Sequence, residues 1–194
     1  GTGTGKTMLS VSIAKVMKDQ RRVVILSAKS LQHNFRKEVR KYMKLLKIPE
    51  QEIDSAVEKK YKFVSSNAGN MLTQLARMGK TVEELEFEKT LEVFTNKIDL
   101  EGALVIVDEA QNFFNGIVNG SKNSTGLYKA IMEATDVKLI FLSATPIIND
   151  PFEIVPMFNM LYGSNILPED YDDFYNFYID KDKLKVKNKE KFKN

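Results

Sequence analysis

The chain has 194 residues, with 29 basic and 26 acidic side chains, a formal net charge of +3, one histidine and no cysteine. This length suits one core-building domain, alone or with an appendage. The missing cysteines exclude disulfides, zinc ribbons and thiol catalysis, and the single His33 excludes a multi-histidine metal site. The mild positive balance neither demands nor excludes a polyanionic partner; no signal-peptide pattern is present, and no apolar run approaches the roughly 18 residues of a membrane span.

The chain opens at Gly1, inside a glycine-rich motif, and is expected to be a fragment whose upstream strand is missing. Lys6 to Asp19 predicts a helix with Met8, Val11, Ile13, Ala14 and Val16 on its buried side. Val23-Val24-Ile25-Leu26 is continuous, apolar and β-branched, as in a strand buried on both faces. Ser30 to Lys47 predicts a long amphipathic helix. Leu31, Phe35, Val39, Tyr42/Met43 and Leu46 form its stripe, with Arg36, Arg40 and Lys44 recurring opposite. Pro49 to Lys60 is polar and predicts a short helix with loops. Tyr61 to Ser65 predicts a short strand, Asn67 to Met78 a helix, and acidic Thr81 to Leu100 a surface helix.

Ala103 to Val107 is a second buried strand, ending at Asp108-Glu109. Asn115 to Thr125, rich in Gly, Asn and Ser, predicts a loop. Gly126 to Thr135 predicts a helix, and Val137 to Leu142 a third buried strand ending at Ser143-Ala144-Thr145-Pro146. Asp150, Pro151 and Glu153 form a capping-box-like start for a helix running to about Tyr162, where Gly163 stops it. The tail from Asn165 is aromatic and acidic, then rich in lysine. Residues 179–194 carry +4 and residues 1–178 carry −1, so the basic excess belongs to the tail. Buried strands alternating with helices predict an α/β fold around a mainly parallel sheet.

Three motifs carry chemistry. Gly1-Thr2-Gly3-Thr4-Gly5-Lys6-Thr7 matches the Walker A pattern, short of its first glycine. Glycines let backbone N–H groups turn onto phosphate oxygens, and the following helix adds its positive end. Gly3, Thr4, Gly5, Lys6 and Thr7 are the candidate nucleotide-binding residues; Lys6 reaches the β- and γ-phosphates and Thr7 ligates Mg²⁺. Val105-Ile106-Val107-Asp108-Glu109 has the Walker B form. There Asp108 holds the Mg²⁺ shell and Glu109 orients or deprotonates the attacking water. Ser143-Ala144-Thr145 follows the third strand. In a parallel sheet, residues just past strand C-termini share one edge, so all three motifs converge on one cleft.

In this order the motifs resemble motifs I, II and III of superfamily 2 helicases and translocases. Ser27-Ala28-Lys29-Ser30-Leu31 with Asn34-Phe35 resembles motif Ia of the Swi/Snf branch, and Phe63-Val64-Ser65-Ser66-Asn67 sits at motif Ib. Leu142 to Asn149 resembles that branch's motif III. Asp108-Glu109-Ala110-Gln111-Asn112-Phe113, Asn119 to Asn123, and Pro146 to Asn149 followed by Pro151 and Glu153 are similar to the nucleoside triphosphatase I and early transcription factor small-subunit helicases of large DNA viruses. The tail Phe174-Tyr175 through Phe192 resembles that group's connector to a second lobe. Gln111 stands where DEAH-type members have histidine, and Ala144 where the Swi/Snf branch commonly has glycine.

The resemblance implies a P-loop, RecA-like three-layer α/β/α lobe over residues 1–166 and a connector over 167–194. It implies an ATP hydrolase using ATP and Mg²⁺, with Lys6, Asp108 and Glu109 catalytic and Gln111, Ser143, Ala144 and Thr145 coupling motifs II and III. Ser27, Lys29, Ser30, Ser65, Ser66 and Asn67 would contact nucleic acid, DNA ahead of RNA, through phosphates. Helix capping by Ser30 and Asn67 is the competing reading. The basic helix bearing Arg36, Lys37, Arg40, Lys41, Lys44 and Lys47 either steers a polyanion or is a solvated face, the latter favoured. Phe113 and Phe114 are expected to pack, and Tyr171, Phe174, Tyr175, Phe177 and Tyr178 to dock the connector.

The implied partners are a second RecA-like lobe, which would supply the arginine finger, and transcription machinery, with no membrane. The implied setting is intracellular, in a virion or viral factory. A nucleotide-dependent scaffold without motor activity, or another P-loop class with Thr145 as a sensor, stays open as an alternative.

Overall fold

The computed structural model describes residues 5–17, 22–78, 80–91, 97–180 and 185–186. Helix α1 (Lys6–Val16) leads to strand β1 (Arg22–Ser27), α2 (Lys29–Leu45), α3 (Glu50–Lys60), β2 (Tyr61–Ser65), α4 (Met71–Met78) and α5 (Val82–Leu91). Strand β3 (Ala103–Asp108), α6 (Ala110–Val118), α7 (Lys122–Glu133) and β4 (Val137–Leu142) follow. A 3₁₀ turn (Pro151–Glu153), α8 (Ile154–Tyr162), α9 (Tyr171–Tyr178) and the short antiparallel pair β5 (Ile179–Asp180) and β6 (Lys185–Val186) complete the described chain.

The four long strands lie parallel in the order β2-β1-β3-β4. Strand residues alternate between two cores because successive side chains point to opposite faces. Val24, Leu26, Ala103, Val105 and Val107 pack with α4, α6 and α7. Val23, Ile25, Leu104 and Ile106 pack with α1, α2 and α3. The fold is therefore the expected three-layer α/β/α arrangement. Each large aliphatic side chain buried there contributes about 1.5–3 kcal/mol. No described helix is long and apolar enough to cross a membrane.

Several boundaries differ from expectation. In α1 only Val11 and Ala14 are fully buried among the expected stripe; Ile13 and Val16 are exposed, and Asp19 lies outside the described residues. Pro49 to Lys60 forms one helix rather than a helix and loops, since Pro49 pre-sets its start. Helix α4 begins at Met71, not Asn67, and α5 spans Val82–Leu91, with residues 97–100 outside any helix. Thr81 and Glu84 form a reciprocal capping box that fixes the start of α5.

The expected loop Asn115 to Thr125 is mostly helical and shrinks to Asn119-Gly120-Ser121 between α6 and α7. Its glycines serve packing. A Cβ on Gly116 would meet Ser124 Oγ at 2.3 Å, and one on Gly126 would meet Leu72 Cδ1 at 2.6 Å. They let α6 and α4 approach α7 closely, which local composition cannot reveal. Strand β4 is half-buried apart from buried Leu142 and exposed Lys138, because its one described strand neighbour is β3.

The aromatic tail docks as expected. Phe174 and Tyr178 are fully buried against Phe152, Val155 and Leu167, while Tyr171 and Phe177 stay exposed. Asn159 and Leu167 bond reciprocally, side chain to backbone, at 2.9 and 3.1 Å. Gly163 ends α8 in the left-handed conformation at φ 80°.

Candidate functional site

The sheet register sets the motif positions. Ser27 lies opposite Ser65, Leu26 opposite Val107, and Asp108 opposite Leu142. The ends of β1, β2 and β3 and the start of Ser143-Ala144-Thr145 thus share one edge of the parallel sheet.

Gly3 and Thr4 of the glycine-rich motif, and the side chains of Lys6 and Thr7, lie outside the described residues. Gly5 is exposed at φ 77°, a left-handed conformation that glycine adopts without a Cβ penalty. Lys6 opens α1, whose Val11 and Ala14 pack beside Ile25, Ile106 and Leu142.

Strand β3 ends at half-buried Asp108, whose Oδ1 accepts the Glu109 backbone N–H at 3.1 Å. Glu109 then turns sharply, at φ 50° and ψ 50°. A left-handed non-glycine residue costs about 1–3 kcal/mol and is retained where its surroundings over-determine it. Here the turn starts α6 one residue beyond the strand. It also points the Glu109 carboxylate at Gln111, whose Nε2 donates to Glu109 Oε2 at 2.6 Å.

A carboxylate only accepts, so this bond fixes the amide orientation of Gln111. Its Oε1 is then an acceptor, and Ser143 Oγ donates to it at 2.6 Å. Ser143 Oγ also accepts the Thr145 backbone N–H at 3.1 Å and lies 2.8 Å from the Thr145 carbonyl oxygen. The single hydroxyl proton serves one of these two acceptors at a time. Gln111 is nine-tenths buried, whereas Ala144 and Thr145 are exposed. Glutamine at this position thus donates on one side and accepts on the other.

The expected nucleic-acid residues divide. Lys29 and Ser30 at the start of α2, and Asn67, are exposed; Ser65 and Ser66 are half-buried. Ser66 N–H donates to the Ser27 carbonyl at 3.1 Å, extending the β1–β2 ladder. Ser27 requires correction: it is fully buried, and its Oγ has no hydrogen-bond partner among the described residues. Its hydroxyl is not presented to a polyanion. The capping alternative is also corrected: Ala28 takes the N-cap of α2, and α4 starts four residues after Asn67.

The basic face of α2 is occupied by α3. Arg36 pairs with Glu58 at 2.6 Å, Arg40 with Asp54 at 2.6 Å and Lys44 with Glu50 at 2.5 Å. The Lys44 ammonium beside it holds the Glu50 carboxyl below its ordinary range. Arg36 also stacks over the Phe63 ring at 4.0 Å.

The roles of Glu153 and Asn115 in this region escaped the sequence reading. Asp150 caps the 3₁₀ turn as expected, accepting Phe152 N–H at 2.7 Å. Glu153, however, does not close a capping box, because its carboxylate turns to the loop after β4. It accepts the N–H of Ile148 at 2.7 Å and of Asn149 at 3.3 Å, and the side-chain amide of Asn115 at 2.8 Å. Asn115 stands four residues after Gln111, and that spacing is the signal that would have found it. Among the described residues no group of three or more His, Cys, Asp or Glu is placed to hold a metal.

The family described as SNF2-related domain matches residues 1–191. A termination factor NPH-I homolog of African swine fever virus is 37% identical over 186 residues, covering 92% of this chain and 24% of that protein. A protein of Acanthamoeba polyphaga mimivirus named as an ATP-dependent RNA helicase is 29% identical over 186 residues, covering 92% of this chain and 31% of its own length. The chain therefore spans about a quarter to a third of these relatives. A mainly parallel α/β sheet, an acidic pair joined to Ser143-Ala144-Thr145 through Gln111, and a match along nearly the whole length give one conclusion: the chain belongs to the SNF2-related domain family.

Proposed function

We propose that the chain is the ATP-binding and ATP-hydrolysing motor lobe of a nucleic-acid-dependent translocase, acting on DNA ahead of RNA in viral transcription. The observation that carries this reading is the bonded path Glu109–Gln111–Ser143–Thr145. It joins the acidic pair to the motif III loop, which is the connection a motor needs between nucleotide and track.

In this reading the Gly3-Thr4-Gly5-Lys6-Thr7 loop wraps the phosphates, and Lys6 neutralises charge building on the γ-phosphoryl group. Thr7 and Asp108 supply hard oxygen donors, which suit Mg²⁺ rather than a softer metal. Mg²⁺ held there would offset the negative charge of the phosphates. Glu109 orients the attacking water and accepts its proton, and its hydrogen bond to Gln111 makes that carboxylate sensitive to the position of Ser143. Lys29, Ser30, Ser65, Ser66 and Asn67 line the same sheet edge and hold phosphates of the track without reading sequence.

A second RecA-like lobe of the same full-length protein would complete the γ-phosphate site with an arginine, worth about 10³–10⁵ in rate. The name of the African swine fever virus relative, a termination factor homolog, supports a place beside transcription machinery, and a virion or viral factory is the setting that goes with this reading. The test is ATP turnover by the full-length protein with and without duplex DNA or RNA. DNA should stimulate turnover and Lys6→Ala should abolish it. Turnover that ignores nucleic acid, or survives Lys6→Ala, removes the motor reading.

A further inference from the structure

We propose that Glu153 and Asn115 are a positioning pair, a second latch that ties the motif III loop to α6 and carries the nucleotide state from Glu109 into that loop. The inference rests on the motor-lobe reading above and adds two residues to it.

The argument begins on α6. Gln111 and Asn115 are four residues apart and lie on one face of that helix. Gln111 grips the loop at Ser143, and Asn115 grips it through Glu153 at Ile148 and Asn149. The loop is therefore held at both ends by one helix, and that helix starts at the strained Glu109 turn. Side-chain packing does not fix the span between the grips, since residues 144–149 are all exposed.

Glu153 is fully buried, and its two oxygens receive three N–H donors. A buried carboxylate is costly unless its lone pairs are filled, so the arrangement strongly favours one loop position. A turn of α6 about its axis, following a change at Glu109, would move both grips together. Loosening the Asn115 grip should leave Glu109 and the phosphate loop intact while the motif III loop stops following them.

The test uses the full-length protein and four variants. Asn115→Ala removes only the α6 end of the latch. Asn115→Asp sets two carboxylates against each other. Glu153→Gln turns one of the two acceptor oxygens into a donor, and Asn115→Asp with Glu153→Gln restores a complementary pair of reversed polarity while the remaining oxygen still accepts the Ile148 N–H. ATP turnover is measured with and without duplex DNA, alongside KM for ATP and the thermal midpoint.

Asn115→Ala and Asn115→Asp should lower DNA-stimulated kcat about five- to fiftyfold while basal turnover and KM stay within about twofold. The double variant should recover most of the stimulation lost by Asn115→Asp. Where DNA stimulates the wild-type protein, folded single variants that keep its ratio of stimulated to basal turnover, or a kcat that falls in step with the thermal midpoint alone, overturn the latch and leave a structural role.

Hydrogen exchange separates this outcome from failure of the motor reading. In wild-type protein the Ile148 and Asn149 amides should be protected, and the protection should change on adding Mg²⁺ and ATP. Asn115→Ala should abolish the response. That result upholds the latch even if DNA fails to stimulate turnover, and amides that ignore nucleotide overturn it.

Discussion

Ser27 and Gln111 are both buried polar side chains at the functional edge, and their circumstances are opposite. Ser27 Oγ has no partner among the described residues, and a buried hydroxyl in that state costs about 1–3 kcal/mol. Ser27→Ala should therefore hold or raise stability, by up to about 1 kcal/mol, in a urea melt. It should leave nucleic-acid affinity unchanged, and a weaker complex would return the hydroxyl to the contact set. Gln111 is bonded on both sides. Gln111→Leu keeps its volume and takes the amide away from Glu109, while Ser143 turns its proton to the Thr145 carbonyl, at a cost of about 1–3 kcal/mol. Stimulated ATP turnover should fall more than tenfold while KM for ATP moves little. Equal loss in basal and stimulated turnover would show that Gln111 acts on hydrolysis itself and not on coupling.

The helix pair α2–α3 decides where cations remain for a polyanion. Glu50, Asp54 and Glu58 repeat every four residues along α3 and meet Lys44, Arg40 and Arg36 in reverse order along α2. These pairs are exposed, and such contacts are worth about 0–1 kcal/mol each, so they contribute little to stability. The Glu50 carboxyl, held low by Lys44, supports the fold above the ordinary carboxylate range and ceases to do so as pH falls through its depressed value. What the ladder changes is availability. Arg40→Glu should leave the salt dependence of DNA binding unaltered, whereas Lys29→Glu should lower the slope of log K against log salt by about one. The reverse ranking would place the track on the basic face of α2.

At this scale the limits of sequence reading are visible. The basic periodicity of α2 and its apolar stripe Phe35, Val39 and Met43 could be read from the sequence, because each repeats at helical spacing, whereas the acidic repeat of α3 fell in a stretch expected to be partly loop. Their pairing could not, since it depends on how two helices cross. The same holds for Gly116 and Gly126, which resemble loop residues locally and are contact points between helices in the fold.

For the whole molecule, the βα alternation and the motif ends were legible, since β1 and β3 are apolar over residues 23–26 and 103–107 and parallel strands bring such ends to one edge. Loop-borne bonds such as Glu153 to Ile148 were not, because backbone donors carry no residue signature. The two cores make a further global property predictable. Tyr61 is buried with α2 and α3 on one side of the sheet, and Tyr128 packs on the other side and donates to Glu169 at 2.6 Å. Burial first, then the nearby Tyr42, raises the Tyr61 phenol to about 12. Burial, then the bond to Glu169, raises Tyr128 to about 12. Burial also pushes Tyr175 upward, followed by its contacts with Tyr171 and Asp150.

In each case the folded state holds its proton to higher pH than the unfolded chain, whose tyrosines titrate near 10. For Tyr61 and Tyr128, the stability contributed is complete below about pH 10 and is lost as pH rises from there through about 12. For Tyr61, 3% exposed, the loss is on the order of 2–3 kcal/mol. Urea melts from pH 9 to 11.5 should show a falling midpoint for wild-type protein. Tyr61→Phe should show a shallower fall over the same range, because lysine deprotonation is common to both chains. Parallel slopes for the two proteins would mean that the Tyr61 phenol reaches solvent and ionises at its ordinary value.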